Sequence, residues 1–318
     1  MDPDHQPPAR VRVALLREAV QRDRTPAAMR ALSNALFDAG MNAESAEWFG
    51  DAYRLEPNED LLRRAAIDPD EVIARSSALI AHGAGYSAVI AARAVALART
   101  GRDTEVATLI DHDRFLVVRQ FPAGDGEPMI RELSTEIIGD LTAYGEPADR
   151  AIRHAMRNDR VMTSATAAAT TFRRGLEQCV WDYIAALSMD SHPFVEALPR
   201  DWQLEGWAVV STEGSHHQSH IHPRAWLSGV CYLLRPHVSL DAGARHGWLH
   251  IAPPSHLGVR AGRGWSEQWI APVVGRVVLM PAYFFHETDP LPGGESRICV
   301  AFDVVPKEIA ERTIECAR

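Results

Sequence analysis

The sequence predicts an α+β protein: an N-terminal α-helical repeat segment over residues 1–112, then a β-sandwich or jelly roll with supporting helices over 113–318. Three observations predict it. The first part of the chain is rich in Ala, Arg, Glu and Leu, with helical periodicity and few β-branched clusters. The texture changes near 113, where RFLVVRQFP (114–122) has strand character and a Gly/Pro-containing turn follows. From 204 onward, short runs rich in Val, Ile, Trp and Tyr (EGWAVVST, AWLSGVCYLL, HGWLHIAP, GRVVLMP and SRICVAFDVVP) alternate with Gly, Pro and charged residues.

Within the helical part, residues 27–57 read as a helix–turn–helix of the tetratricopeptide kind. Leu32, Leu36, Gly40, Phe49, Ala52 and Pro57 stand where that repeat places apolar, small and helix-ending residues. Ser45 takes a small-residue position, and Met29 stands where the repeat usually has Trp. A second pair of helices is expected over 72–101, but its turn glycine Gly83 lies 43 residues after Gly40, longer than the roughly 34 of a strict repeat. A plain helical bundle is the alternative. Between the two parts, helical patterns occupy roughly 128–143 and 166–188.

Composition narrows the function classes. Acidic residues exceed basic ones, 42 against 33, for a formal charge of −9, which argues against a nucleic-acid protein. Hydrophobic content of 46% is enough for a sizeable core. The beginning, MDPDHQPPAR, lacks the basic and apolar blocks of a signal peptide, and no apolar run reaches the roughly 20 residues of a membrane helix. Cys179, Cys231, Cys299 and Cys316 form no CxxC pair, and Cys231 and Cys299 read as buried thiols. These features imply a reduced, cytoplasmic protein.

The chemistry concentrates in QSHIHPRAWLSGVCYL (218–233). Side chains two apart on a strand share a face, so His220 and His222 at a strand end can converge on one ion. Imidazole suits iron, zinc, copper or nickel. His286, after the apolar run ending at Pro281, is the best third candidate. Arg297 opens the next apolar strand, where an isolated charge needs a partner and a guanidinium can clamp a carboxylate.

This order, HxH, a distant His, then Arg, resembles the iron(II)- and 2-oxoglutarate-dependent oxygenases on the double-stranded β-helix fold. It is most similar to the bacterial oxygenases that often carry tetratricopeptide repeats. The resemblance covers about 113–318, is strongest over 202–306, and includes GWLHIAP, APVVGRVVLMPAYFFHETDP and SRICVAFDV. It implies Fe(II), 2-oxoglutarate and O2, with His220 and His286 as iron ligands and Arg297 on the distal carboxylate of the cosubstrate. Where such oxygenases usually place a carboxylate, this chain has His222. Either His222 is the third ligand, or fewer protein ligands hold iron and water fills in. A small residue there would have suggested an open halide site; His222 does not. Ser228 and Tyr232, on the following strand with the same parity, are assigned to the cosubstrate pocket, although core packing explains Tyr232 equally well.

The expected reaction is hydroxylation of an unactivated C–H, with desaturation, cyclisation or epimerisation as variants. The substrate is a peptide or protein side chain or a small metabolite, the former slightly favoured because helical repeats offer concave surfaces. Those helices would bind a protein partner or mediate self-association. Competing readings are a cupin and a non-catalytic adaptor with a degenerate β-domain. The cupin lacks support in the Glu expected after HxH, and Gly275 stands eleven residues before His286 rather than about three. No GxSxG or phosphate-binding Gly loop is present, and the closed cysteine-rich set of structural zinc is missing. His216 and His217 are read as loop or substrate-recognition residues. Of the tryptophans, Trp202, Trp207, Trp226, Trp248, Trp265 and Trp269 fall in the β-rich part, mostly as packing anchors, with one or two lining a cleft.

Overall fold

The computed structural model describes residues 8–121, 126–143, 151–237, 243 and 245–316. The turn expected after 114–122 and the first seven residues lie outside them. Helices α1 (Ala9–Arg22), α2 (Pro26–Asp38), α3 (Asn42–Leu55), α4 (Asp60–Ala65), α5 (Pro69–Ala81), α6 (Ser87–Arg99), α7 (Asp103–Leu109) and α8 (His112–Phe115) come first. Then follow β1 (Val117–Gln120), α9 (Gly126–Gly139), β2 (Thr142–Ala143), β3 (Ile152–Asn158), α10 (Ala167–Ala186) and α11 (Pro193–Glu196). The last part holds β4 (Trp202–His220), β5 (Leu227–Leu234), β6 (Leu249–Ile251), β7 (Gln268–Ile270), β8 (Arg276–Pro281), β9 (His286–Thr288), β10 (Arg297–Pro306) and α12 (Lys307–Cys316).

Local chemistry explains the helix boundaries. Thr25 and Asp68 accept from the backbone N–H of Ala28 and Glu71, and Pro26 and Pro69 fill the first helical positions. Gly40 and Gly83, at φ +76° and +80°, end α2 and α5 in the left-handed region that glycine adopts without a Cβ penalty. Ser33 and Ser45 bring α2 against α3 by donating to each other's backbone carbonyl at 2.8 Å. The buried Arg75 of α5 donates to Ser33 Oγ at 3.1 Å, and burial pulls its guanidinium down to about 10. The strand expected from 114 begins only at Val117. Asp111 accepts from the Arg114 N–H and starts the short helix α8 instead.

The strands pair antiparallel in one curled sheet, in the order β1-β8-β5-β10-β4-β9-β6-β7, with β3 on β4 and β2 on β3. Helices joined to a curled antiparallel sheet are consistent with a jelly roll behind N-terminal helices. β3 and β7 are short strands that the sequence pattern did not announce, and β4 runs through 19 residues. One core cluster runs from Ala46 and Tyr53 in α3 through α6, α10 and the inner sheet residues to Ile309. A smaller cluster joins α1, α2 and α3 around Val20, Leu32 and Leu36. Cys179, Cys231 and Cys299 are free and buried, Cys231 and Cys299 as expected. No helix of the described residues is long and apolar enough to cross a membrane.

Candidate active site

Strand pairing brings the separated histidines together. His220, the last residue of β4, is the direct antiparallel partner of His286, the first of β9. His222 follows just beyond β4, its N–H donating to Ala282 O at 2.9 Å. The three rings lie 4.3–5.1 Å apart between centroids, and one ring nitrogen of each comes within 4.8 Å of the others. Among the described residues this is the group of His, Cys, Asp and Glu that can hold a metal ion.

Each ring is oriented by its Nδ1. His220 donates to Gln218 O at 2.7 Å and His286 to Phe284 O at 3.0 Å. His222 donates to the carboxylate of Asp303, with Oδ1 at 2.8 Å and Oδ2 at 2.9 Å. An Nδ1–H committed to an acceptor leaves the lone pair on Nε2, the form of imidazole that binds a cation. Electrostatics agree for two of the three. Burial and the neighbouring imidazole of His222 bring His220 down to about 3, and burial with His220 and His222 keeps His286 well below the ordinary value. His222 differs. Burial pulls it down, but the charge of Asp303 and its hydrogen bond outweigh this and raise it.

Beside the histidines lies a cavity of about 70 Å³ with mostly apolar walls. Arg297, at 1% exposure the largest fully buried side chain, reaches it from the start of β10. Its Nη1 donates to Gly247 O at 2.8 Å and its Nη2 to Ser211 Oγ at 3.2 Å, while its buried Nε has no hydrogen-bond partner. Such a donor is costly to bury unless a ligand satisfies it. Tyr232, buried at 1%, lines the same cavity, and burial pushes its phenol far up. Ser228 also borders it, but its hydroxyl donates to Asp303 Oδ1 at 2.7 Å.

The sequence did not announce several members of this site. Asp303 stands on the same face of β10 as Arg297, two residues past Ala301, and the readable signal was a lone carboxylate inside ICVAFDVVP. His217 lines the cavity too, with Nδ1 3.3 Å from Thr288 Oγ1. It is three residues from His220, a spacing that normally points side chains to opposite faces. The register shift between His217 and His220 turns both inward. Trp207 is the cavity tryptophan. Its ring lies nearly parallel to His222, 6.1 Å away, with the Arg157 guanidinium 4.6 Å from its centroid. Trp226 and Trp265 are buried packing residues.

Three converging imidazoles and a buried, partly unpartnered guanidinium thus meet at one cavity of a curled antiparallel sheet. Residues 205–303 match the model of a protein family described as "Putative 2OG-Fe(II) oxygenase". No curated protein matches the chain. Among solved structures, the chain is similar to a Pseudomonas putida prolyl-4-hydroxylase (16% identity, TM-score 0.42, covering 63% of this chain and 98% of that one). It is also similar to a Trichoplax adhaerens prolyl hydroxylase solved with a hypoxia inducible factor peptide fragment (14%, 0.44, 68% and 94%). A third is HygX from Streptomyces hygroscopicus with nickel and 2-oxoglutarate (14%, 0.41, 63% and 86%). Residues 205–303, which hold the three histidines and Arg297, thus carry the function of an iron(II)- and 2-oxoglutarate-dependent oxygenase, a class that uses Fe(II), 2-oxoglutarate and O2.

Proposed function

We propose that His220, His222 and His286 ligate the iron through Nε2, that Arg297 binds the distal carboxylate of 2-oxoglutarate, and that Tyr232 and Ser228 border the cosubstrate. The observation that carries this is the Nδ1 set: all three rings have that nitrogen anchored on an acceptor, and one ring nitrogen of each lies within 4.8 Å of the others. The donor set fits the metal, since imidazole is a good ligand for iron and three ligands on one side leave positions open for a cosubstrate. The bound iron and cosubstrate supply the oxidising chemistry. The chain supplies a mostly apolar wall around it, through Leu249, Met280, Val230 and Trp207. Tyr232 and Ser228 are buried in the lining of the pocket, and Ser228 is held there by its bond to Asp303.

The reaction is hydroxylation of an unactivated C–H, with a peptide or protein side chain favoured as substrate over a small metabolite. A cleft of about 790 Å³ between the helices and the sheet supports this, because it brings Arg54 and Tyr86 from the helices to the same space as Arg224, Trp226 and Glu308. We read residues 1–112 as a tetratricopeptide-like unit that engages a protein partner or a second copy, and 113–318 as the oxygenase unit. The paired helices on either side of Gly40 and Gly83 support the repeat. The buried free thiols fit a reducing cytoplasm.

The test is anaerobic titration with iron(II) and 2-oxoglutarate, following the metal-to-ligand charge-transfer band, then admission of oxygen and assay of succinate. A band and slow succinate formation are expected. No band at saturating iron and cosubstrate would overturn the site.

A further inference from the structure

The three imidazoles are not backed alike. His220 and His286 lean on backbone carbonyls, which carry no net charge. His222 leans on a carboxylate, held by both oxygens of Asp303. Asp303 is 7% exposed, and Ser228 Oγ donates to its Oδ1 at 2.7 Å, which helps to fix the carboxylate. A buried carboxylate is expensive unless its charge is matched, and besides this hydroxyl it faces one imidazole. A cation held on the other side of that ring would match the charge it carries.

Non-haem iron sites of the two-His, one-carboxylate type carry one negative charge directly on the metal. A site of three neutral imidazoles carries none. Here a carboxylate stands one imidazole further out, on the ligand that occupies the carboxylate's place. We propose that Asp303 supplies the metal site's negative charge through His222, as a positioning residue that fixes the ring and strengthens its donation. A hydrogen bond from Nδ1–H to a carboxylate shifts electron density toward Nε2 and raises ligand basicity, whereas a bond to a carbonyl does so less. Strand β10 then contributes twice: Arg297 at its start faces the cosubstrate, and Asp303, of the same side-chain parity, faces the iron ligand.

The inference rests on the reading of His222 as an iron ligand. It is tested in the full chain with Fe(II), and with Co(II) as a spectroscopic substitute. Asp303→Asn keeps size and shape but removes the charge. Its metal dissociation constant, by anaerobic calorimetry, is expected to rise about 10- to 100-fold. At saturating metal and 2-oxoglutarate its charge-transfer band is expected at shorter wavelength, because a less electron-rich metal gives up its electron less readily. A purely structural loss would weaken binding without moving the band. Ser228→Ala removes the hydroxyl that holds Asp303 Oδ1; because Ser228 also borders the cosubstrate, this variant is read without 2-oxoglutarate, by metal affinity and the Co(II) spectrum, where changes in smaller measure are expected, and it decides the matter if Asp303→Asn does not fold. An unmoved band in Asp303→Asn, whatever its affinity, overturns the inference, as does wild-type affinity within twofold with an unmoved Co(II) spectrum where only Ser228→Ala folds. Failure of the wild-type protein itself to bind metal overturns the site instead, so the two failures are distinct.

Discussion

Removing Arg297 should separate cosubstrate binding from metal binding. A guanidinium has five N–H donors. Two are engaged with Gly247 O and Ser211 Oγ, leaving three, of which the Nε–H is buried and without a partner. A carboxylate taking two of these gains two charge-assisted hydrogen bonds, each contributing about 1.5–3 kcal/mol. Two such bonds amount to about 3–6 kcal/mol, and water entering the emptied site recovers part of it. At about 1.4 kcal/mol per factor of ten, the dissociation constant of 2-oxoglutarate in Arg297→Ala should rise about 100- to 1,000-fold. Arg297→Lys keeps a charge but not the planar fork, and should fall between, about tenfold weaker than wild type. The assay is anaerobic calorimetric titration of 2-oxoglutarate into the iron-loaded protein, with iron affinity measured separately and expected to stay within about threefold of wild type. Thermal unfolding controls for the Gly247 carbonyl and Ser211 hydroxyl left behind, a cost of about 1–3 kcal/mol. Cosubstrate affinity within threefold of wild type in Arg297→Ala would refute the assignment.

Three further outcomes are expected. His286→Ala should lose iron-dependent turnover and most iron affinity, read by calorimetry and succinate release; full activity would sink the ligand assignment. His192 accepts the Phe194 N–H at Nδ1 and donates from Nε2 to Thr108 O, so the fold holds it neutral, and burial is the main cause that lowers its pKa. Because the folded value lies below the unfolded one, the unfolded chain gains the proton first, and the stability this histidine confers is present above the ordinary value near 6.5 and is lost as pH falls toward the lowered one. The decline in Tm between pH 7.5 and 5 should accordingly be shallower in His192→Ala, and an unchanged slope would count against the neutral assignment. Tyr53→Phe with Ser87→Ala removes two bonds from the helices to the loop after His222. Each loss should cost about 1 kcal/mol of stability, and iron affinity should fall severalfold, as measured by chemical denaturation and calorimetry.

Much of the architecture was legible because it rests on local rules. Thr25-Pro26 and Asp68-Pro69 announce helix starts, Gly40 and Gly83 announce turns, and the β-branched runs announce the inner strands. His220, His222, His286 and Arg297 were legible because each is a polar residue at the end of an apolar run. Asp303 was not, and His217 and Trp207 were legible only as a loop or substrate-recognition residue and as one of six tryptophans. Asp303 acquires its meaning only when β10 lies next to β4 and β5, a pairing between residues about 80 positions apart. His217 depends on a register shift, which no spacing rule in the sequence reveals. Strand β3 is short and mixed in polarity, and it exists because β4 offers it a partner edge.

The same tertiary pairing explains why the helices bear on the chemistry. Tyr53 of α3 donates to Pro223 O at 2.5 Å, and Ser87 of α6 donates to Ala225 O at 2.6 Å. Both acceptors lie in the short loop between His222 and β5. Trp226, the next residue, donates to Phe194 O and stacks on the Phe194 ring at 4.7 Å. On the far side of the site, Tyr283 donates to Leu109 O at 2.6 Å, three residues before His286. A metal site needs its ligands held within a fraction of an ångström, and rigid elements hold them better than loops do. His222 and His286 both border loops, and each of those loops is tied to the helical segment by a buried tyrosine hydroxyl. The helices thus hold the loops beside His222 and His286 and also form one wall of the large cleft, which the loop after His222 lines through Pro223, Arg224 and Ala225.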